Sequence, residues 1–293
     1  MPPSRDAAPA ARGRADATGA PSPAGPPIVF VHGVRTSSAI WAHQMAAMAR
    51  SGHRSVAVDL PGHGARAHER FTLRGAMDAI GQAVDALPVP PLIVGLSLGG
   101  YSTLAYAARH QDKVAGVLVA GCSTEIRGKP VRAYRSVAHH VSRTLRPTGG
   151  TWHVVSDMLE AMGGHSSLAD LRRLLVPVWI VNGRRDVLRL EERRYLAARP
   201  GTRLTVVPRA GHDVNSHAPI VFNRILLDVL SELRTAGATR SPRREEASGA
   251  RGRGPLASVT PWRAPGLRRS SSTSVDAPSA SRARTGSSSP RSA

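Results

Sequence analysis

Short apolar runs alternate with longer amphipathic stretches between residues 26 and 236. The runs, at 28–31, 55–59, 91–94, 114–120, 176–181 and 203–207, are rich in Val, Ile and Leu and bounded by Gly, Pro or polar residues. Buried parallel strands read this way because both of their faces are covered. Helical spacing is predicted at 41–50, 73–87, 98–110, 188–198 and 218–233; in the last of these, Phe222, Ile225, Leu226, Val229 and Leu233 form one apolar face. Strand and helix in alternation predict an α/β fold, a parallel sheet covered by helices on both sides. One interval breaks the rhythm. After Ala120 the next apolar run starts only at Val176, and 124–146 and 152–162 look helical around Pro147-Thr148-Gly149-Gly150. An excursion of that length at the carboxyl end of a strand is expected to be a lid, spanning about 124–166.

Composition separates this domain from its flanks. The chain carries 40 basic against 20 acidic residues, a net charge of +20. Residues 237–293 hold eleven arginines and three acids among Ser, Pro, Gly and Ala, without apolar periodicity. Such a segment buries too little surface to offset its ordering entropy, so 1–25 and 237–293 are expected to be disordered tails around a domain at 26–236. Only Lys113 and Lys129 are lysines, and Trp262 is the one aromatic residue of the basic tail. That bias reflects the coding composition more than selection for a polyanion, so no nucleic-acid partner is expected. The single cysteine, Cys122, excludes an internal disulfide and reads as a small packing residue. No apolar run approaches the roughly 20 residues of a membrane span, and no signal peptide is recognisable, so a cytoplasmic protein is expected.

The chemistry concentrates in Gly95-Leu96-Ser97-Leu98-Gly99-Gly100, between the apolar run at 91–94 and an amphipathic helix. A serine turned sharply from strand to helix needs small neighbours, because helix and strand must pack closely while the hydroxyl is lifted clear. The hydroxyl needs a base, and the base an orienting group. Asp186 follows the run at 176–181, and His212 follows the run at 203–207, so both are expected on the same sheet edge as Ser97. The order Ser, Asp, His is one of three chain orders that build such a triad. Glu125 and Asp213 compete with Asp186, and His217 is the nearest rival to His212, although its surroundings look like a helix start. His63 is expected to hold its own turn, and His139-His140 lacks a carboxylate or cysteine at ligand spacing, so no metal site is expected.

These residues resemble the α/β-hydrolase fold family. The match comprises a His-Gly loop (His32, Gly33), an Asp-x-Pro-Gly-His-Gly turn from Asp59 to Gly64, the elbow from Gly95 to Gly99, an acid loop from Asn182 to Asp186, and Gly211-His212. The resemblance implies a three-layer fold with a mostly parallel sheet of about six strands in the order 2-1-3-4-5-6. It further implies Ser97 as nucleophile, His212 as general base and acid, and Asp186 as its orienting acid. The backbone N–H groups of Val34 and Leu98 would form the oxyanion hole, and no cofactor would be needed. The implied reaction is hydrolysis of an ester, lactone or related small acyl compound through an acyl-enzyme. A cofactor-free perhydrolase or haloperoxidase-like reaction, or carbon–carbon bond hydrolysis, would use the same triad, whereas a non-catalytic binding protein on this fold would typically lose a member. Candidate pocket residues are His32, Trp41, Trp152, Val155, Met158, Leu159 and Met162, the lid members having packing of the lid itself as their alternative role. The family's usual N-terminal hairpin has no counterpart before Ile28, so the strand at 55–59 is expected at the sheet edge, covered by the N-terminal tail or a partner.

Overall fold

The structure is a computed structural model and describes residues 25–129 and 152–240. Most of both expected tails, the bulk of the expected helix at 124–146, His139-His140 and any cover from the N-terminal tail lie outside the described residues; residues 237–240, expected in the C-terminal tail, instead continue a helix.

Six parallel strands form one sheet: β1 (Ile28–Val31), β2 (Ser55–Val58), β3 (Leu92–Leu96), β4 (Gly116–Ala120), β5 (Val178–Gly183) and β6 (Arg203–Val207). Their order is β2-β1-β3-β4-β5-β6, as the resemblance implied, with β2 at one edge. Strand side chains alternate between faces, and the two cores divide accordingly. Val29, Val31, Ile93, Val117 and Val119 pack with Ile80, Leu104 and Leu171 from α2 (Leu73–Asp85), α3 (Leu98–Ala107) and α5 (Ser167–Arg173). Ile28, Phe30, Leu92, Val94 and Leu118 pack with Met48 of α1 (Ala42–Arg50) and Phe222, Leu226 and Leu230 of α8 (Pro219–Arg240). The result is helix, sheet, helix.

The excursion after β4 differs from expectation at its start. Residues 124–129 form a bend and a turn, with Gly128 at φ 76°, rather than the beginning of a helix. Helix α4 (Trp152–Gly163) follows as expected, and α5 is an additional short helix before β5. Val154, Val155, Met158, Leu159 and Met162 recur at helical spacing and bury themselves in the first core. Arg70 and Asp157 form a two-pronged ion pair that fastens α4 to the segment after β2. Between β5 and β6 lies α6 (Glu192–Ala198), and α7 (Val214–His217) precedes α8.

Register aligns the carboxyl ends of the central strands: Val31 pairs with Gly95, Leu96 with Ala120, and Ala120 with Val181. Two glycines make the junction of β3 and α3 possible. A Cβ on Gly95 would lie 2.5 Å from the Gly99 carbonyl oxygen, and one on Gly99 would lie 2.3 Å from that of Val31. Both obstacles are backbone and cannot swing aside. Gly99→Ala is therefore expected to lower stability by about 2–3 kcal/mol in chemical denaturation. Gly163→Ala, at a helix end with nothing within 4 Å of the added methyl, is expected to raise it by up to about 1 kcal/mol.

Candidate active site

Ser97 stands between β3 and α3 at φ 51°, ψ −115°, a left-handed backbone that L-residues seldom adopt. Its N–H donates to the Ala120 carbonyl at 2.7 Å, which pins the turn against the end of β4. Gly33, in the loop after β1, lies so close that a Cβ there would be 3.4 Å from the Ser97 Cβ. Leu98 opens α3, where the first amides have no helical acceptor. Neither the Leu98 nor the Val34 amide donates to a protein acceptor among the described residues. Among the described residues these two amides are thus without a protein acceptor, and that of Leu98 stands at the positive end of a helix dipole.

The β1 loop is held by the turn after β2. His32 is fully buried; its Nδ1–H donates to the Gly33 carbonyl at 2.8 Å and its Nε2 accepts from the Leu60 amide at 3.0 Å. Burial, only partly opposed by the Gly33 bond, pushes its pKa down to about 4, so it is a neutral two-ended strut. His63 repeats the pattern, donating to the Pro61 carbonyl and accepting the Arg35 amide at 3.1 Å. Asp59 accepts the amides of Ser38 and Ala65 at 2.7 and 2.9 Å. Three side chains of the two motifs thus fix the loop that bears Val34.

Asp186 and His212 meet on the other side. Asp186 is buried, and its Oδ2 accepts from His212 Nδ1 at 3.0 Å while its Oδ1 accepts the Leu188 amide at 2.8 Å. The loops carrying them interlock: a Cβ on Gly183 would lie 2.1 Å from the Gly211 carbonyl oxygen, and the Arg185 amide donates to Ala210 at 2.9 Å. Burial disfavours the imidazolium of His212, but the Asp186 hydrogen bond and charge, with the charge of Asp213, outweigh it and hold the pKa above its ordinary value. The ring lies over Gly121, whose Cβ position is 3.0 Å from His212 Cε1. Gly121 follows Ala120, the acceptor of the Ser97 amide, so hydroxyl and imidazole flank the same end of β4. Ser97 Oγ makes no hydrogen bond among the described residues; in unliganded sites such bonds are often long and tighten with substrate.

The competing residues have other work. Glu125 Oε2 accepts the Leu168 amide at 2.8 Å and the Ser167 hydroxyl at 3.3 Å, capping α5. Asp213 is buried, which raises its carboxyl pKa, and the bond to the imidazole comes from Asp186 instead. His217 is exposed and accepts the Gly211 amide at 3.1 Å. Cys122 is buried against Gly100, and burial pushes its thiol pKa up, away from nucleophilic use.

Two pocket expectations need correction. Trp41 lies in the core on the far face of the sheet, stacked on Phe30 at 4.9 Å and against Phe222 at 5.9 Å. The cause is the short 3-10 turn Ser38–Trp41, which leads into α1 and carries the residue beneath the sheet. His32 is spent on backbone bonds within the loop and presents nothing to a ligand. The lid residues Val155, Met158, Leu159 and Met162 pack on the domain, in the same apolar cluster as Leu98 and Val34, and the Trp152 side chain lies outside the described residues. Among the described residues, no group of three or more His, Cys, Asp or Glu is placed to hold a metal, and no helix is long and apolar enough to cross a membrane. Sequence reasoning missed two braces, Asn182 and Arg70–Asp157. Asn182 joins the Gly121 amide, Ser123 and Glu192 across the ends of β4 and β5. Its place in the acid loop was the available signal.

Residues 28–225 match the model of the alpha/beta hydrolase family, and the chain belongs to that family. Among curated proteins it is 34% identical over 200 residues to a pimeloyl-[acyl-carrier protein] methyl ester esterase of Neisseria meningitidis, covering 53% of this chain and 74% of the relative. Solved structures with the same fold include a thermophilic esterase from Thermogutta terrifontis (TM-score 0.60, 20% identity, 71% of this chain and 90% of that one). A bromoperoxidase from Bacillus anthracis is similar to the same extent (TM-score 0.58, 18% identity, 71% and 92%).

Two outcomes follow from this geometry. Imidazole proton NMR is expected to give a His212 midpoint above the ordinary 6.5, and Asp186→Asn is expected to lower it, because the imidazolium loses its counter-charge. Glu125→Ala is expected to cost about 1–2 kcal/mol of stability through the lost helix cap while leaving that midpoint in place.

Proposed function

We propose that the protein is a serine hydrolase of carboxylic esters. The observation that carries this reading is the convergence on one sheet edge of a strained, exposed-edge serine, a buried Asp186–His212 pair at 3.0 Å and two free backbone amides. In this reading His212 Nε2 takes the Ser97 proton as Oγ bonds to the substrate carbonyl carbon. The negative oxygen of the tetrahedral adduct is held by the amides of Val34 and Leu98, donors of a kind worth about 3 kcal/mol each. The adduct collapses, the ester C–O bond breaks, and His212 returns the proton to the departing alkoxide. Water, deprotonated by the same imidazole, then releases the acid and restores Ser97. Asp186 keeps Nδ1 protonated, so that Nε2 is the free base, and stabilises the imidazolium.

The curated relative's action on a methyl ester and the apolar cluster shared by Val34, Leu98 and the lid side chains support an acyl group of small to medium length as substrate. A cytoplasmic place of action belongs to the same reading, in line with one buried, unpaired cysteine.

A fluorophosphonate probe is expected to label the wild-type chain and to fail on Ser97→Ala. His212→Ala is expected to slow p-nitrophenyl ester turnover by about 10³-fold or more. Labelling that survives Ser97→Ala removes the mechanism. A panel of p-nitrophenyl esters of rising chain length measures pocket depth; failure of the whole panel in a chain that labels at Ser97 turns the reading toward perhydrolysis or carbon–carbon bond hydrolysis.

A further inference from the structure

The loop that carries His212 has an amide with an unusual partner. Gly211 N–H donates to the side chain of His217, at Nδ1, 3.1 Å away. The imidazole lies flat enough against this residue that a Cβ on Gly211 would meet His217 Cε1 at 3.1 Å and Nδ1 at 3.2 Å. A side chain at position 211 would therefore require the His217 ring to give by a few tenths of an ångström. To accept this bond, His217 must be neutral with its proton on Nε2.

His217 itself is held from below. Its own amide donates to the Asp213 carbonyl at 2.9 Å, within the turn of α7. The same turn contains Asn215, buried, whose carbonyl accepts from Gln44 Nε2 at 3.0 Å and whose Nδ2 donates to the Ile40 carbonyl at 3.1 Å. Gln44 lies on α1 and Ile40 just before it, both in the segment that continues the Val34 loop. A continuous polar strut thus runs from that segment through Asn215 and α7 to His217, and from His217 to the Ala210–Gly211 peptide.

The rest of the His212 backbone is fixed by other bonds. The Ala210 carbonyl accepts the Arg185 amide at 2.9 Å, and the His212 carbonyl accepts the Val214 amide at 3.0 Å. The Gly211 N–H belongs to the same planar peptide unit as the Ala210 carbonyl, so the Arg185 amide and His217 Nδ1 hold that unit at its two edges.

We infer that His217 is a positioning residue, whose Nδ1 fixes the Gly211 amide and so sets the bearing of the His212 imidazole toward Ser97. The inference rests on the serine hydrolase reading above. It is specific about chemistry: position 217 must offer an acceptor at the Nδ1 location, not a charge or a second base. Asparagine supplies such an acceptor, because its Oδ1 lies about as far along the side chain as Nδ1; alanine supplies none.

The test uses the full chain with His217→Ala and His217→Asn. Exposure of His217 predicts that both variants fold, and thermal melting checks this. In His217→Ala, kcat for p-nitrophenyl butyrate and the rate of fluorophosphonate labelling are expected to fall about three- to tenfold at unchanged KM, the worth of one hydrogen bond. His217→Asn is expected to restore both rates to within about twofold. Hydrogen exchange at the Gly211 amide is expected to accelerate in His217→Ala and to stay near wild type in His217→Asn. Wild-type rates in His217→Ala, or a loss that His217→Asn does not repair, overturn the inference while Ser97-dependent labelling leaves the hydrolase reading standing. Labelling that persists in Ser97→Ala overturns the reading and the inference with it; unchanged Gly211 exchange in His217→Ala overturns the hydrogen bond itself.

Discussion

The tight backbone contact where the start of α3 presses against the ends of β3 and β1 sets the terms for everything around it. At Gly99 there is room for hydrogen and nothing else before the carbonyls of Val31 and His32. That contact forces Ser97 into a left-handed conformation, a strain of order 1–3 kcal/mol that the surrounding sheet must over-determine. In return the hydroxyl is lifted past the sheet edge, and the first amides of the helix are aimed at the space above it. A looser junction would relieve the strain and lose both.

Around that fixed point, several loops are held by side chains that bond to the backbone of a neighbouring loop. His32, His63 and Asp59 each take amides from a neighbouring loop, Asn182 takes the Gly121 amide, and Glu125 caps α5. Each such bond satisfies a buried donor that would otherwise cost about 1–3 kcal/mol, and each also removes a degree of freedom from a loop near Ser97. The histidines show how environment divides one residue type by task. His32, enclosed and without a carboxylate partner in hydrogen-bond contact, is held neutral; His212, against Asp186, is biased toward the cation. In the proposed reaction, only the second combination suits a group that accepts a proton and gives it back.

The lid is as much a structural layer as a cover. Its helix α4 buries an apolar stripe in the same cluster that reaches Val34 and Leu98, and Arg70 grips Asp157 from the neighbouring segment.

The residues themselves determined the six strands, the helices α1, α2, α3, α4 and α6 to within a few positions, the start of α8 and the elbow at Ser97, because each is written locally in apolar periodicity or in glycines that flank a reactive side chain; the end of α8, seven residues beyond the expected one, was not. Strand order came from the family resemblance, and the coordinates agree with it. What sequence could not decide was partnership. Whether Asp186, Asp213 or Glu125 faces the imidazole depends on where three loops end in space, and only the packed sheet edge resolves it in favour of Asp186. Trp41 is large and close in sequence to the Val34 loop, which suggests a pocket residue, yet the turn that leads into α1 carries it under the sheet onto Phe30 and Phe222. Likewise, nothing in the string of letters ties Gln44 to Asn215, 171 residues apart. Periodicity is a property of neighbours along the chain, whereas a hydrogen bond across loops exists only once the sheet has set their distance.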